Sequence, residues 1–309
     1  MMNQDETGVY HLPVLLNEVI NNLNVHANMD YFDGTIGFAG HFQAIYQHAN
    51  KQGNFFGFDQ DLFAYDYCTK LFKDDKNVHL YHANYVNIND YLPTQQFDAI
   101  LLDLGVSSYE LDEQNRGFSY LKEAKLDMRM NQEQELDAYQ VINFAPFDIL
   151  YFIFKTYGEC KQAKALSQLI IKTRKDHLIK TTLELADLIY QVEFSYDLVR
   201  KNPCKPYFQA LRIYVNDELN VLKKAIAILA NKLKPHGRLA IITFHSLEDK
   251  IVKQEFYKLC NEDAVYKKIP MDVKVDYMLV TKKPIIASEE ELAINHRSRS
   301  AKLRIIERR

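Results

Sequence analysis

The sequence predicts an α/β fold in which a doubly wound, mostly parallel sheet with an antiparallel edge carries an inserted all-helical domain. In the first third of the chain, short apolar runs alternate with segments whose apolar residues recur at helical spacing, as in sheets with helical crossovers. From about residue 126 the pattern is helical throughout, and the alternation resumes near residue 207. We therefore expect a discontinuous α/β domain, 1–125 with 207–309, and a helical insertion at 126–206.

Four apolar runs have the length of strands: 29–33, 54–59, 78–83 and 97–105. The fourth run is almost continuously apolar, which is typical of a strand buried on both faces. Acids stand at the ends of three of these strands, at Asp33, Asp59 and Asp103. In open α/β sheets the ligand crevice lies outside the carboxyl ends of the strands, so we expect these acids to meet there.

The remaining elements follow from helical periodicity and turn residues. Three helical segments are predicted in the insertion, at 138–158, 161–177 and 181–194, and Thr181 with Glu184 predicts a capping box for the third. After the insertion we expect a long helix, a strand, a helix and an antiparallel edge pair, at 207–233, 237–244, 247–260, 277–285 and 301–307.

Composition excludes several classes of protein. The net charge is −3, so binding to nucleic acid has to come from local basic patches. The four cysteines, Cys68, Cys160, Cys204 and Cys260, form no C-x-x-C pair, and we predict neither a metal site nor a disulfide framework. No run approaches the roughly 18 apolar residues of a membrane span, and we expect a soluble, cytoplasmic protein without a membrane partner.

A glycine-containing loop, DGTIGFAGH at 33–41, follows the first strand and leads into a helix. Glycine lets the backbone approach a ligand closely, although a purely structural turn is the alternative. Asp33 would repel the pyrophosphate of a dinucleotide but attract the sulfonium and ammonium of S-adenosylmethionine. Asp59, with Asp61 as a competitor, stands where such enzymes bind a cofactor ribose. The loop thus favours S-adenosylmethionine over NAD.

Nine motifs in order resemble one family. They are DGTIGFAGH, FDQD, LLDLGVSS, RGFS, LDMRM, KTYGE, FQALRIYVNDEL, GRLAIITFHSLEDKIVK and RSRSAKLR. Together they resemble the ribosomal small-subunit RNA (cytosine-N4) methyltransferases of the RsmH or MraW type. The resemblance implies a Rossmann-like, class I S-adenosylmethionine-dependent methyltransferase fold. It also implies N4-methylation of a cytidine in the decoding centre of 16S rRNA, with the small ribosomal subunit as partner.

The resemblance also implies site residues. It adds cofactor contacts to those expected from Asp33 and Gly34 of the loop, and they are Ala39, Gly40, His41, Asp59, Tyr85, Asp103 and Glu110. Ala39 stands where the family typically has glycine, and Tyr85 replaces a common phenylalanine while keeping an aromatic face.

Methylation of a cytosine amine makes a specific chemical demand. The lone pair of this amine is delocalised into the ring, so an acceptor must hold the amine in line with the methyl group. Asp103, at the end of the fourth strand, is the predicted catalytic acceptor. His245 is predicted to contact the cytidine or relay its proton, and Ser246 to bind substrate or to cap a helix beginning at Leu247.

Basic residues are the predicted RNA contacts. In the tail these are Arg297, Arg299 and Lys302, and in the insertion a set of lysines with Arg174. Arg116 and Arg129 are expected either to bind RNA phosphate or to brace the insertion through Asp127. A non-catalytic RNA-binding module, an NAD oxidoreductase, and methylation of DNA or protein are the alternative functions. The oligomeric state stays open, a homodimer included.

Overall fold

The computed structural model of the chain describes residues 12–106, 116–193, 202–261 and 275–309. The chain divides into two compact units, Met1–Gly105 with Leu219–Arg309, and Val106–Glu218. The second unit is wider at both ends than the predicted insertion, 126–206. On its N-terminal side, Ala124 N–H donates to Thr182 Oγ1 (3.0 Å) inside the helical unit. Within the described ranges, no helix has the length and apolar character needed to cross a membrane.

The first unit is built on one mixed sheet. Its strands in the described residues are β1 (Met29–Asp33), β2 (Gly53–Asp59), β3 (Val78–His82), β4 (Phe97–Asp103), β5 (Leu233–Thr243), β6 (Tyr277–Leu279) and β7 (Lys302–Arg308). The order is β3-β2-β1-β4-β5-β7-β6, with the pairs from β3 to β5 parallel and β7 antiparallel to both neighbours. This confirms the predicted fold class, a doubly wound Rossmann-like sheet with an antiparallel edge.

Helices cover the sheet and fill the second unit. In chain order they are α1 (Leu16–Asn22), α2 (Gly40–His48), α3 (Leu62–Leu71), α4 (Ile88–Tyr91), α5 (Ala138–Phe144), α6 (Phe147–Phe152), α7 (Ala163–Asp176), α8 (Thr182–Glu193), α9 (Lys205–Val215), α10 (Glu218–Asn231), α11 (Ser246–Cys260) and α12 (Glu289–Ile294). Shorter helical turns are 3₁₀ at Tyr85–Asn87 and His296–Ser300 and π at Ile153–Tyr157.

The central strands of the sheet are buried on both faces. Along β1, Tyr31 packs in one apolar core and Phe32 in the other, because successive side chains of a strand point to opposite faces. Leu101 and Leu102 divide in the same way along β4. Packing on both faces thereby fixes the carboxyl ends of these central strands, where the ligand crevice is expected.

The capping box of the third insertion helix is confirmed. Thr181 Oγ1 accepts from Glu184 N–H (3.3 Å), and Thr181 N–H donates back to Glu184 Oε2 (3.2 Å), just before α8.

Two predicted helices are each divided in the structure. The segment 138–158 breaks at Pro146, because proline lacks an N–H and forces the preceding Ala145 into extended backbone (ψ 141°). The segment 207–233 breaks between α9 and α10, where Asp217 has a φ of 49°. There the Asn216 side chain accepts from Met130 N–H (2.8 Å). This contact joins the C-terminal end of α9 to a loop that lies 86 residues earlier in the sequence.

Candidate active site

Asp33, Asp59 and Asp103 end three neighbouring strands, in the order β2, β1, β4, as the sequence predicted. Asp33 is 2% exposed. Burial raises the pKa of Asp33 to about 6 and the pKa of Asp59 and of Asp103 to about 7. Three carboxyl groups held in this way favour a ligand that brings positive charge or hydrogen-bond donors.

The loop after β1 is fastened to the strands on either side of it. Gly34 N–H donates to Leu101 O of β4 (3.0 Å), and Ile36 N–H donates to Phe58 O of β2 (3.0 Å). Thr35 N–H donates to Asp33 Oδ1 (3.1 Å), and Thr35 Oγ1 accepts from Asp103 N–H (2.7 Å). Thr35 therefore links the carboxylate of Asp33 to the backbone of Asp103. Sequence reasoning missed this residue, although its position in the loop between Asp33 and Gly37 could have indicated it.

Gly34 lies where a side chain would not fit. A Cβ at this position would lie 2.5 Å from Leu102 Cδ2 and 2.8 Å from Tyr85 Cβ. Tyr85, predicted near the adenine, is 8% exposed and begins the 3₁₀ turn after β3. The structure therefore places Tyr85 beside the glycine loop, and its contact with an adenine stays a prediction.

Asp59 and Asp61 have different surroundings. Asp59 Oδ2 accepts from Gly37 N–H (2.9 Å) and Asp59 Oδ1 from Asp61 N–H (2.8 Å). Asp61 is the N-cap of α3, accepting from Phe63 N–H (3.0 Å). The helix cap accounts for Asp61, which favours Asp59 as the ribose ligand.

Ala39 adopts a backbone conformation that normally belongs to glycine. It is the N-cap of α2 with φ 61° and ψ 22°, and it is fully buried. Non-glycine residues in this left-handed region cost about 1–2 kcal/mol. This strain explains why glycine is typical at this position of the family that the sequence resembles.

We expect Ala39→Gly to leave the free energy of unfolding nearly unchanged, within about 0.5 kcal/mol. Relief of the left-handed strain, about 1–2 kcal/mol, offsets the roughly 0.4–1 kcal/mol by which glycine stabilises the unfolded chain and the roughly 0.8 kcal/mol lost with the buried methyl group. Urea unfolding measures the change. The control is Ala44→Gly inside α2, where glycine should cost about 1 kcal/mol. An Ala39→Gly protein destabilised as much as the Ala44→Gly protein would contradict the explanation.

Gly40 and His41 begin α2 behind this alanine. A Cβ on Gly40 would lie 2.8 Å from Pro13 Cγ. His41 is 6% exposed; its Nε2 lies 2.8 Å from Val14 O, and its Nδ1 lies 3.4 Å from Asp103 Oδ2. Asp103 Oδ1 is buried and has no hydrogen-bond partner within the described chain. This oxygen is suited to accept a hydrogen bond from a ligand.

The prediction that Ser246 caps a helix beginning at Leu247 is wrong. Ser246 is the first residue of α11, and His245 is its N-cap. His245 Nδ1 accepts from Glu248 N–H (3.4 Å), while Glu248 Oε2 accepts from Phe244 N–H (2.8 Å). The side chains of Ser246 and His245 can both cap a helix. His245 is the cap because its backbone is extended (φ −141°), whereas Ser246 is already helical. The catalytic role of His245 and the substrate contact of Ser246 stay predictions.

The basic residues of the tail differ in their surroundings. Lys302 Nζ and Arg304 Nε contact Asp249 at 3.1 Å and 2.7 Å. Burial acts to raise the pKa of Asp249, but these two cations outweigh it and the pKa is lowered. Arg297 and Arg299 are exposed in the 3₁₀ turn, and the charge of Arg297 lowers the pKa of Asp103 against the effect of burial. Arg297 is thus a tail residue whose charge acts on one of the strand-end acids, Asp103.

In the helical unit the structure favours the bracing role of both arginines. Arg116 is 5% exposed, and its Nη2 donates to Arg129 O and Met130 O, both at 3.0 Å. Arg129 binds Asp127 with two contacts, Nε to Oδ1 (2.9 Å) and Nη2 to Oδ2 (2.7 Å). Arg174 donates to the carbonyls that end α5. Glu110 lies outside the described residues.

Comparison with known proteins finds a family and relatives that match this chain over nearly its full length. A model of the MraW methylase family matches residues 8–309. Ribosomal RNA small subunit methyltransferase H of Clostridium botulinum (strain Loch Maree / Type A3) is 43% identical over 301 residues, covering 96% of this chain and 97% of that protein. The Ureaplasma urealyticum serovar 10 protein of the same name is 44% identical over 298 residues, covering 95% and 96%.

Among solved structures, an rRNA methylase from Streptococcus thermophilus covers 95% of this chain and 93% of its own, with 10% identity and a TM-score of 0.41. That likeness is too distant to bear on function. The family model, in contrast, spans nearly every residue of the sequence, including all the strand-end acids. The chain belongs to the MraW methylase family.

Proposed function

We propose that the protein transfers a methyl group from S-adenosylmethionine to N4 of a cytidine in the decoding centre of 16S rRNA, within the small ribosomal subunit. Membership of a methylase family and the name shared by its relatives support the reaction and the RNA. The observation that carries the chemistry is Oδ1 of Asp103 at the end of β4, which is buried and has no hydrogen-bond partner among the described residues, since an amine needs such an acceptor.

The residues beyond the strand ends fit the cofactor. S-adenosylmethionine supplies an electrophilic methyl group on a positively charged sulfur. Asp33 and Asp103 offer negative charge, and Asp59 offers two oxygens at the end of β2, where ribose hydroxyls can donate to them. The glycine loop brings its backbone to the same strand ends because Gly34 leaves no side chain there.

Asp103 is the residue proposed to act on the substrate. It accepts a hydrogen bond from the exocyclic amine, which fixes the amine and draws electron density toward nitrogen. His245 and Glu248 form a reciprocal capping box at the start of α11, in which each side chain accepts from the other residue's backbone N–H. They hold this end of β5 in place, and His245 is proposed to contact the extruded cytidine.

The helical unit is proposed to recognise RNA. Its lysines are exposed at Lys161, Lys164, Lys172, Lys175 and Lys180, whereas Arg174 is used internally. Phe144 and Phe152 are 64% and 43% exposed. Lysines bind phosphates, and exposed aromatic rings stack on unpaired bases, so this combination suits the loops of a structured RNA.

The deciding experiment is incubation with labelled S-adenosylmethionine and small ribosomal subunits, free 16S rRNA, DNA or protein. We expect label in the subunits, recovered as N4-methylcytidine after nucleoside analysis. Label in DNA or protein would favour those substrates, and RNA binding without any transfer would identify a non-catalytic module. A ribosomal substrate would place the enzyme in the cytoplasm, and a homodimer stays a prediction.

A further inference from the structure

We propose that His41 and Asp103 share one proton, and that His41 is the positioning residue that keeps Asp103 ready to take the proton released from the cytidine amine. The inference rests on the proposed methyl transfer. It goes beyond a cofactor contact for His41, because it assigns the ring a protonation state and a part in the reaction.

Hydrogen-bond chemistry fixes one side of the His41 ring. Its Nε2 lies 2.8 Å from the carbonyl oxygen of Val14. A carbonyl oxygen only accepts, so Nε2 must carry the hydrogen. A neutral His41 then presents a bare lone pair at Nδ1.

Nδ1 is also the ring nitrogen close to a carboxyl oxygen. It lies 3.4 Å from Asp103 Oδ2, and two acceptors this close repel unless one of the two groups carries a proton. The pair is stable with one proton, held either as Asp103 Oδ2–H toward Nδ1 or as an imidazolium beside a carboxylate. Two groups coupled in this way titrate as one unit.

The surrounding charges act on both members. Burial lowers the pKa of His41, and Asp33 of β1 and Glu291 of α12 oppose this effect. Burial and Glu248 of α11 raise the pKa of Asp103 to about 7, and Arg297 opposes them. In the free protein, therefore, the shared proton rests mainly on Asp103 below about pH 7.

The reaction gives this proton a use. The lone pair of the amine forms the new N–C bond, the electron pair of the broken S–C bond stays on sulfur, and one amine proton must leave. The positive sulfonium of the bound cofactor favours an ionised Asp103, so the shared proton then moves to His41 and Asp103 receives the amine proton. The sulfonium charge disappears as this proton arrives, so the net charge of the pocket is unchanged. The proton stays on Asp103 until the product leaves and the side chain, 26% exposed in the free protein, is again in contact with water.

Nitrogen NMR of the free, ¹⁵N-histidine-labelled protein tests the proton directly and needs no RNA. The chain has 10 histidines, and loss of one signal set in His41→Gln assigns the ring. We expect His41 to keep hydrogen on Nε2 at all pH values while its Nδ1 signal titrates. In Asp103→Asn that titration should vanish, because the amide donates permanently to Nδ1. His82, whose Nε2 contacts Gln60 O (3.1 Å), is the internal reference and should be the same in both proteins.

The kinetic test uses His41→Gln, whose amide can still donate to Val14 O but cannot hold the shared proton. We expect single-turnover methyl transfer to fall at least about tenfold, and the midpoint of its pH dependence, which Asp103 alone then sets, to shift from that of the wild type. Hydrogen on Nδ1 with Nε2 bare, or a His41 titration unaffected by Asp103→Asn, would overturn the inference even if the enzyme methylates RNA. Conversely, absence of RNA methylation with the expected NMR result would fault the proposed function alone.

Discussion

Asp59→Ala is expected to weaken S-adenosylmethionine binding by at least about 100-fold. The carboxylate at the end of β2 is proposed to accept from two ribose hydroxyls, and each hydrogen bond to a charged group contributes about 1.5–3 kcal/mol. Its loss also leaves Gly37 N–H, which donates to Asp59 Oδ2, without its acceptor. Isothermal titration with the cofactor measures the effect.

The matched control is Asp61→Asn, two residues further along. Asparagine caps helices as well as aspartate does, so Phe63 N–H keeps its acceptor and α3 keeps its start. We expect less than about a threefold change in affinity. The reverse pattern, a large loss at Asp61 with little change at Asp59, would transfer the ribose assignment to Asp61.

Asp103→Asn is expected to reduce methyl transfer by about 10²–10⁴-fold, since asparagine can accept from the amine but cannot take its proton. The cofactor should still bind, although less tightly because one negative charge is lost, since Asp33, Asp59 and the glycine loop are unchanged. Single-turnover transfer to RNA, together with cofactor titration, separates the two effects. Near-normal transfer by Asp103→Asn would remove Asp103 from the chemistry.

The same substitution is expected to stabilise the free protein at neutral and alkaline pH. The pKa of Asp103 is about 7 in the folded state, above the ordinary value of 3.8 for an aspartate. Such a group favours folding fully below the unfolded pKa, and this contribution is lost as pH rises from about 4 through about 7. Above pH 7 we expect Asp103→Asn to gain on the order of 1–3 kcal/mol over the wild type.

Asp98→Asn, at the other end of β4, is the control. Asp98 Oδ2 accepts from Lys234 Nζ (2.8 Å) and from Asp30 N–H (2.7 Å), so its neutralisation should destabilise the fold and leave methyl transfer intact. Urea unfolding at pH 6 and pH 8 compares the two variants. A stability difference between Asp103→Asn and wild type that does not grow with pH would contradict the raised pKa.

Sequence was sufficient for those parts of the molecule that local pattern determines. Strands β1, β2 and β4 were predicted because each is a short apolar run that ends in an acid. The break at Asn216 was not, because the residue it contacts, Met130, is 86 positions away. The pairing of Lys302 and Arg304 with Asp249 depends on the approach of α11 to β7, which no spacing in the sequence reveals.

The same distinction applies to the candidate site. Asp33, Asp59 and Asp103 could be placed together because parallel strands deliver their ends to one edge. The link from Thr35 to Asp103 and the contact of His41 with Asp103 are properties of the packed loop. They depend on the left-handed turn at Ala39, and alanine itself gives no sign of such a turn.

The interruption between β4 and β5 bears on how the chain folds. The chain between these neighbouring parallel strands runs through the whole helical unit. Asp98 near the start of β4 and Lys234 near the start of β5 form an ion pair, although they are 136 residues apart in the sequence. Closing so long a loop costs about 2 kcal/mol more chain entropy than an ordinary crossover. Early folding of the helical unit would shorten that loop. Completion of the sheet beside Asp103 is therefore expected late in folding, after the helices have formed.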